Sequence, residues 1–147
     1  MSVVTLAQAS AIVDTALKKG RETNCAPLTV AVLDAGGHLV AFKREDRSGI
    51  LRYDIAYGKA WGALGMGFGT RELADRAAKS PAFVAALAVT SQGRMIPSPG
   101  GVLIADEDGE VVGAIGISGD NGDNDEACAM AGIATVGFSG IPGRIGG

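Results

Sequence analysis

Two related strand–turn–strand patterns constrain the fold of this chain more than any other feature of its sequence. Residues 28–34 and 39–44 form the first pattern, and residues 101–105 and 110–118 form the second, each with apolar runs around an Asp- and Gly-containing turn. The patterns match at one constant offset: Asp34, Gly37 and Val40 in the first correspond to Asp106, Gly109 and Val112 in the second. Two hairpins with related turns predict a single antiparallel sheet of about four or five strands.

Helical periodicity surrounds and separates the two hairpins. A capping box formed by Thr5 and Gln8 predicts the start of a first helix. Further helices are predicted at residues 51–66, 71–79, 81 to about 92, and from Asp125 onward. The order helix, hairpin, helices, hairpin, helix predicts an α+β fold.

The composition fits one domain and excludes two classes of partner. The chain has 147 residues, of which 47% are hydrophobic, and no internal linker divides it. We therefore expect a single domain over residues 1–139 and a loose, Gly-rich tail over residues 140–147. A net charge of −3 without a basic stripe argues against a nucleic-acid partner. No apolar run reaches the ~18 residues of a membrane span, and the N-terminus has no apolar signal core, so we expect a cytoplasmic protein without a membrane partner.

Cysteine and histidine usage limits the metal chemistry. Cys25 and Cys128 form no C-x-x-C motif and are expected to be reduced, buried thiols. The single histidine, His38, excludes a His-only metal cluster and a bis-His haem within one chain, and we predict no metal site. His38 has the chemistry of a general base or a haem ligand, but because it follows a Gly-Gly turn, we interpret it as a surface residue. Any bound haem is then expected to be five-coordinate or to have a non-His ligand.

The stretch from Val111 to Ile133 combines a buried strand, a tight loop and a helix start. Glycines interrupt its apolar run, which indicates that another element approaches the backbone closely. The loop from Ser118 to Asn124 precedes an alanine-rich helix, where free amides can hold an anion. Acidic residues in the same place favour helix capping instead.

The chain resembles the GlcG/HbpS family, which includes the C-terminal domain of PduO-type proteins. Three motifs carry the resemblance: residues 32–40 with Arg44 and Asp46; Asp54-Ile55-Ala56 with Lys59-Ala60; and Gly100-Gly101, residues 113–119, Asp125-Glu126 and Ala131-Gly132. The resemblance implies a profilin-like fold and a homo-oligomer. It also implies haem binding, as in several members, or a role in catabolism. This chain departs from the family pattern at Arg52, where relatives usually have a small residue.

Lys59 and Arg52 are the main candidates for chemistry. Seven residues apart, they share one otherwise apolar helical face. A buried ammonium needs a partner, so Lys59 forms an ion pair with Asp46 or Asp54, binds an anionic ligand, or acts as a base or Schiff-base nucleophile with a depressed pKa. Arg52 is either a surface charge or a bidentate carboxylate anchor.

The loop at residues 94–101 completes the predicted binding site. Its candidates are Arg94, Pro99, Gly100 and Gly101, because consecutive glycines let backbone amides approach a ligand. They are joined to Lys59 because relatives place this helix and loop around one cleft. Tyr53 is counted with them because its hydroxyl can ligate haem iron.

Two functions follow from these residues, and a subunit with only a structural role in an assembly is the third possibility. The first is an oligomeric binding protein whose cleft takes haem or another anionic organic ligand. The second is a cofactor-free catabolic enzyme, a lyase, isomerase or hydratase, acting on a small carboxylate-bearing substrate. In that enzyme Arg52 anchors the carboxylate, Lys59 is the acid/base or electrophile, and the amides of Gly100 and Gly101 stabilise an oxyanion.

Overall fold

The structure, a computed structural model, describes residues 3–145. These residues form five helices and five strands in an α+β domain, as predicted. The elements are α1 (Leu6–Glu22), β1 (Thr29–Asp34), β2 (Leu39–Arg44), α2 (Arg52–Met66), α3 (Thr70–Lys79), α4 (Pro81–Thr90), β3 (Gly101–Ala105), β4 (Val111–Ser118), α5 (Gly122–Ala134) and β5 (Ser139–Ile141). The predicted capping box is present, since the Thr5 hydroxyl accepts from the Gln8 amide and the Gln8 side chain accepts from the Thr5 amide.

The strands form one antiparallel sheet in the order β2-β1-β4-β3-β5. The two predicted hairpins therefore lie side by side, joined through β1 and β4. Their turns are built alike: Asp34 Oδ1 accepts from the amides of Gly36 and His38, and Asp106 Oδ1 accepts from those of Asp108 and Glu110. The constant offset in the sequence thus corresponds to a repeated turn.

Helices cover both faces of the sheet. α1 and α5 pack on one face and form the larger core, which is composed of Val4, Ala9, Ile12, Val13, Ala16, Cys25, Leu28, Val30, Val32, Val102, Ile104, Val112, Ile115, Ile117, Cys128, Ala129 and Ile133. α2 covers the other face through a smaller cluster composed of Leu33, Ala60, Ala63, Leu103 and Ala114. α4 contributes only Val84 to a buried position, so most of this apolar helix is exposed.

Glycines allow α2 to lie very close to the sheet. Gly116 of β4 and Gly101 of β3 are register partners on the face that α2 covers. A β-carbon on Gly116 would overlap the Ala56 carbonyl oxygen, and one on Gly101 would overlap the Lys59 carbonyl oxygen. Gly116, one of the glycines predicted to mark a close approach, therefore marks the contact between the sheet and α2, and Gly101, predicted to face a ligand, lies against α2 as well.

The C-terminal segment differs from its prediction. Residues 140 and 141, assigned to a loose tail, belong to β5, which pairs with β3 at the edge of the sheet. The next residues are also held, because the carbonyls of Pro142 and Gly143 accept from the amides of Arg71 and Gly69. Residues 146 and 147 of the predicted tail lie outside the described residues. No helix in the described part of the chain is long and apolar enough to cross a membrane.

Candidate functional site

Lys59 is buried and fully engaged where α2 crosses the sheet. Its Nζ donates to the Ile117 carbonyl at 2.8 Å and to Asp125 Oδ2 at 3.1 Å, and the residue is 3% exposed. Asp125, 1% exposed, also accepts at Oδ1 from the Asp120 amide at 3.1 Å. The partner is therefore Asp125 of α5, whereas the sequence pointed to Asp46 or Asp54.

Burial opposes charge on both members of this pair. Desolvation lowers the pKa of Lys59, which the nearby Asp125 carboxylate only partly offsets. Desolvation likewise raises the pKa of Asp125 against the effect of Lys59. The ion pair is thus costly to bury and is held by its hydrogen bonds to each other and to the backbone.

The acidic start of α5 binds side chains instead of capping the helix. The cap is Asn121, whose side chain accepts from the Asn124 amide at 2.8 Å, and α5 begins at Gly122. Asp123 and Glu126 pair with Arg71 of α3, and these carboxylates raise the pKa of the Arg71 guanidinium. Acidic side chains therefore occupy the start of α5, where the sequence analysis considered an anion-binding site.

Arg52 lies at the surface above the buried pair. Its Nη1 donates to Ser118 Oγ at 3.2 Å, and the side chain is half-buried. Ser118 is the last residue of β4, directly after the Ile117 carbonyl that binds Lys59. Arg52 and Lys59 thus contact the last two residues of β4, and of these two cations Arg52 is the one that reaches solvent.

A row of aromatic side chains, with two rings exposed and two partly buried, runs along the junction of α2 and β2. We define this aromatic strip as Phe42, Tyr53, Tyr57 and Trp61. Phe42 and Tyr53 meet edge to face with ring centroids 5.1 Å apart, and the Tyr53 and Tyr57 centroids are 5.9 Å apart. Phe42 is 37% exposed and Tyr53 is 36% exposed. The α2 members recur every four residues, so they lie on one helical face over ~12 Å.

Arg94 lies at the far end of the aromatic strip. Its guanidinium carbon is 3.9 Å from the centroid of the Trp61 ring, and its Nε donates to the Ser91 carbonyl at 2.8 Å. The Arg94 side chain is therefore directed to Trp61 and Ser91, and not to Lys59, with which the sequence analysis grouped it. Arg52 and Arg94 instead flank the aromatic strip at opposite ends.

The Gly-rich loop supports the buried pair. The Gly101 amide donates to Thr70 Oγ1 at 2.8 Å, and the Gly100 carbonyl accepts from the Ile117 amide at 3.1 Å. Gly100 has a φ of +123°, and a β-carbon there would lie 2.9 Å from Lys59 Nζ. Pro99 lies against Gly122 at the start of α5. The Gly101 amide is thus bonded within the protein and not directed to an oxyanion.

His38 is exposed, as expected, but it is not free. Its Nδ1 lies 3.2 Å from Asp34 Oδ1, and 80% of its side chain is accessible. Within residues 3–145, no three His, Cys, Asp or Glu side chains come together in a group that could hold a metal ion. Cys25 and Cys128 are free, buried thiols, and burial raises the pKa of Cys128 to about 12.

Two features of this region were missed in the sequence. Asp125 shares a helical face with Cys128, Ala129, Gly132 and Ile133, all buried, and this spacing signals a buried carboxylate. The aromatic residues Tyr53, Tyr57 and Trp61 recur at i, i+4 and i+8, which is a visible signal for a stripe. Ser118 and Phe42 carry no comparable signal, because their partners are distant in sequence.

Comparison with known proteins identifies relatives along most of the chain. A family model described as Haem degrading protein HbpS-like matches residues 4–134. An uncharacterized 15.0 kDa protein from the dhaT-dhaS intergenic region of Citrobacter freundii is 31% identical over 129 residues, covering 88% of this chain and 89% of that protein. The corrinoid adenosyltransferase PduO of Salmonella typhimurium is 30% identical over 110 residues, covering 75% of this chain. This chain spans only about a third of that relative, 32% of its length.

Solved structures share the fold. A PduOC–heme complex has a TM-score of 0.84 at 24% identity, covering 97% of this chain and 99% of that chain. A double mutant of Streptomyces reticuli HbpS has a TM-score of 0.78 at 29% identity, covering 92% of this chain and 88% of that chain. At 24% identity, the likeness to the PduOC–heme complex shows a shared fold and nothing more.

Proposed function

Because the chain belongs to the HbpS-like family, we propose that it binds haem, or another planar anionic organic ligand, on the aromatic strip. The observation that carries this proposal is a row of four aromatic rings, two exposed and two partly buried, with Arg52 next to Tyr53 at one end and Arg94 stacked on Trp61 at the other. Aromatic faces stack on planar ligands, and guanidinium groups bind carboxylates in a bidentate manner. A relative with this fold is a PduOC–heme complex, which supports haem as the first ligand to test.

The residues present fit the chemistry of haem. Tyr53 and Tyr57 offer apolar ring surface, while Arg52 or Arg94 would hold the propionate groups. When bound, haem would supply a redox-active iron. Arg52 donates one hydrogen bond, to Ser118 at 3.2 Å, to the described part of the chain, so its guanidinium retains donors for an incoming carboxylate.

In this proposal Lys59 positions the site and does not contact the ligand. Its bonds to Ile117 and Asp125 join α2, β4 and α5 beneath Arg52. Because these bonds hold α2 against the end of β4, they also hold the backbone from which the Arg52 and Tyr53 side chains extend. Pro99, Gly100 and Gly101 contribute through the same packing, which leaves space for the Lys59 ammonium.

The catabolic-enzyme alternative has one favourable observation. Burial lowers the pKa of Lys59, and a depressed pKa suits a base or a Schiff-base nucleophile. Reaction would require Lys59 to leave Asp125 and become accessible from its 3% exposed position. Borohydride trapping with small keto acids tests this directly: a covalent adduct on Lys59 would favour the enzyme over the binding protein.

We also propose that the protein is a homo-oligomer that associates through α4. The apolar surface of this helix includes Phe83, 58% exposed, and Val89, 80% exposed. The small residues of α5 are used inside the chain, where Gly132 packs against Ile12 and Ala16 of α1. A second copy would remove the α4 surface from water.

Hemin titration followed at the Soret band tests the binding function. Arg52→Ser should weaken binding by roughly tenfold, about 1.4 kcal/mol. Lys43→Ser is the matched control, because Lys43 is an exposed cation of β2 that pairs with Asp14 of α1. Equal affinities in both variants would remove Arg52 from the site. If neither hemin nor any member of a panel of aromatic carboxylic acids binds or raises the melting temperature, the proposed function is wrong.

A further inference from the structure

His38 has one ring nitrogen occupied and the other available. Its Nδ1 lies 3.2 Å from Asp34 Oδ1, and 80% of its side chain is accessible. With the Nδ1 proton directed to the carboxylate, the Nε2 lone pair is the free donor atom. A carboxylate that orients an imidazole in this way is a common second partner of histidines that bind metals.

The second hairpin shows that the imidazole is not needed to build the turn. Asp106 accepts from the Asp108 and Glu110 amides as Asp34 accepts from the Gly36 and His38 amides. Glu110 occupies the position equivalent to His38, and the turn forms with the same backbone bonds. The contact between the His38 ring and the Asp34 carboxylate is therefore not required to form the turn, because the backbone hydrogen bonds form it without a histidine.

His38 adjoins a groove that ends at the aromatic strip. This groove, of about 200 Å³, is lined by Ala35, Gly36, Gly37, Trp61, Leu64 and Gly65. A β-carbon on Gly36 would lie 3.0 Å from the His38 ring, and one on Gly37 would lie 3.2 Å from the Trp61 indole nitrogen. The groove therefore places an imidazole, an indole and the Arg94 guanidinium stacked on that indole in one neighbourhood.

The donor set suits a porphyrin iron better than a bare ion. Among residues 3–145, no group of three His, Cys, Asp or Glu side chains is available to hold a metal. His38 would thus be a single protein ligand, whereas a bare ion needs several. A porphyrin brings four ring nitrogens to its iron and needs only an axial donor.

Building on the proposed function, we propose that His38 Nε2 is the axial ligand of haem iron and that Asp34 positions its ring. The macrocycle would lie against Trp61, and Arg94 would bind a propionate. Asp34 is a positioning residue, since it acts on the iron only through His38.

Absorption and resonance Raman spectra of hemin complexes test this assignment. His38→Ala should weaken hemin binding by about tenfold or more and change the spectrum, and added imidazole should restore the wild-type spectrum. Asp34→Asn keeps the acceptor for the turn amides but removes the carboxylate, so hemin should still bind with a lower iron–histidine stretching frequency in the ferrous complex. Asp106→Asn, the same change in the equivalent turn, should alter nothing.

The outcomes separate this inference from the proposed function. If the wild type fails to bind hemin, the proposed function fails for haem and this inference fails with it. If the wild type binds and His38→Ala has the same affinity and spectrum, His38 is not the ligand while haem binding stands. An Asp34→Asn complex with an unchanged iron–histidine frequency would overturn the role of Asp34.

Discussion

Removing one member of the Lys59–Asp125 pair should destabilise the protein strongly. The two side chains are 4% and 1% exposed, and their charged atoms are 3.1 Å apart. Lys59→Met leaves the carboxylate with only the Asp120 amide, and Asp125→Asn leaves the ammonium with only the Ile117 carbonyl. Each buried, uncompensated charge should cost about 3–5 kcal/mol.

The double variant separates charge pairing from packing. Lys59→Met with Asp125→Asn removes both charges, and the Asn side chain can still accept from the Asp120 amide. We expect the double variant to lose less stability than the sum of the single variants by roughly 2 kcal/mol or more. Urea unfolding at pH 7 provides the four free energies of unfolding, and equal m-values verify that the variants unfold from comparable states.

An exposed ion pair in the same protein provides the control. Lys43 and Asp14 are 2.8 Å apart, but their side chains are 59% and 58% exposed. The corresponding cycle, with Lys43→Met and Asp14→Asn, should give a coupling of about 0–1 kcal/mol, because water screens the pair. Equal coupling energies in the two cycles would refute the argument that burial gives the Lys59–Asp125 pair its effect.

Three further predictions concern packing, pH and assembly. Gly116→Ala should lower the free energy of unfolding by about 3 kcal/mol, because its β-carbon would overlap the Ala56 carbonyl. Gly65→Ala, at an exposed position of α2, should raise the free energy of unfolding by roughly 0.5–1 kcal/mol. A smaller effect at Gly116 would contradict the close packing. A hydrogen bond from the Ala26 amide lowers the pKa of Asp120, so its stabilisation should be present above the unfolded value of 3.8 and be lost as pH falls through the lower folded value. Chemical denaturation of Asp120→Asn across pH should show its deficit shrinking in acid, and a constant deficit would exclude this linkage. Light scattering should show an oligomer that Phe83→Ser dissociates, and a monomeric wild type would refute self-association.

The main elements of the fold could be predicted because the contacts that form each turn and helix start lie within a few residues of one another in sequence. Asp34 and Asp106 each fix a turn through amides within four residues, so their shared spacing was sufficient. β5 escaped prediction because a three-residue edge strand has little periodicity, and its stability comes from β3. The repeat of hairpins was thus visible in sequence, and the edge of the sheet was not.

The candidate site was only partly predictable because its contacts are long-range. Lys59 was correctly expected to need a partner, but 66 residues separate it from Asp125. The use of the Gly101 amide by Thr70 likewise joins residues 31 apart. Sequence periodicity places residues on a helix face, but the identity of the facing atoms depends on how the elements pack.

The single tryptophan permits a direct test of haem binding on the aromatic strip. Trp61 is the only tryptophan in the chain, so 5-fluorotryptophan labelling gives one ¹⁹F resonance from the strip. Phe83→Trp adds a second reporter on exposed α4. Because Trp61 packs against the cluster that contains Val84 of α4, paramagnetic hemin should broaden the Trp61 resonance more than the α4 resonance, and diamagnetic gallium protoporphyrin should shift Trp61 more than the α4 reporter. A Trp61 resonance unchanged by a saturating amount of bound hemin would contradict the assignment of this surface as the ligand site.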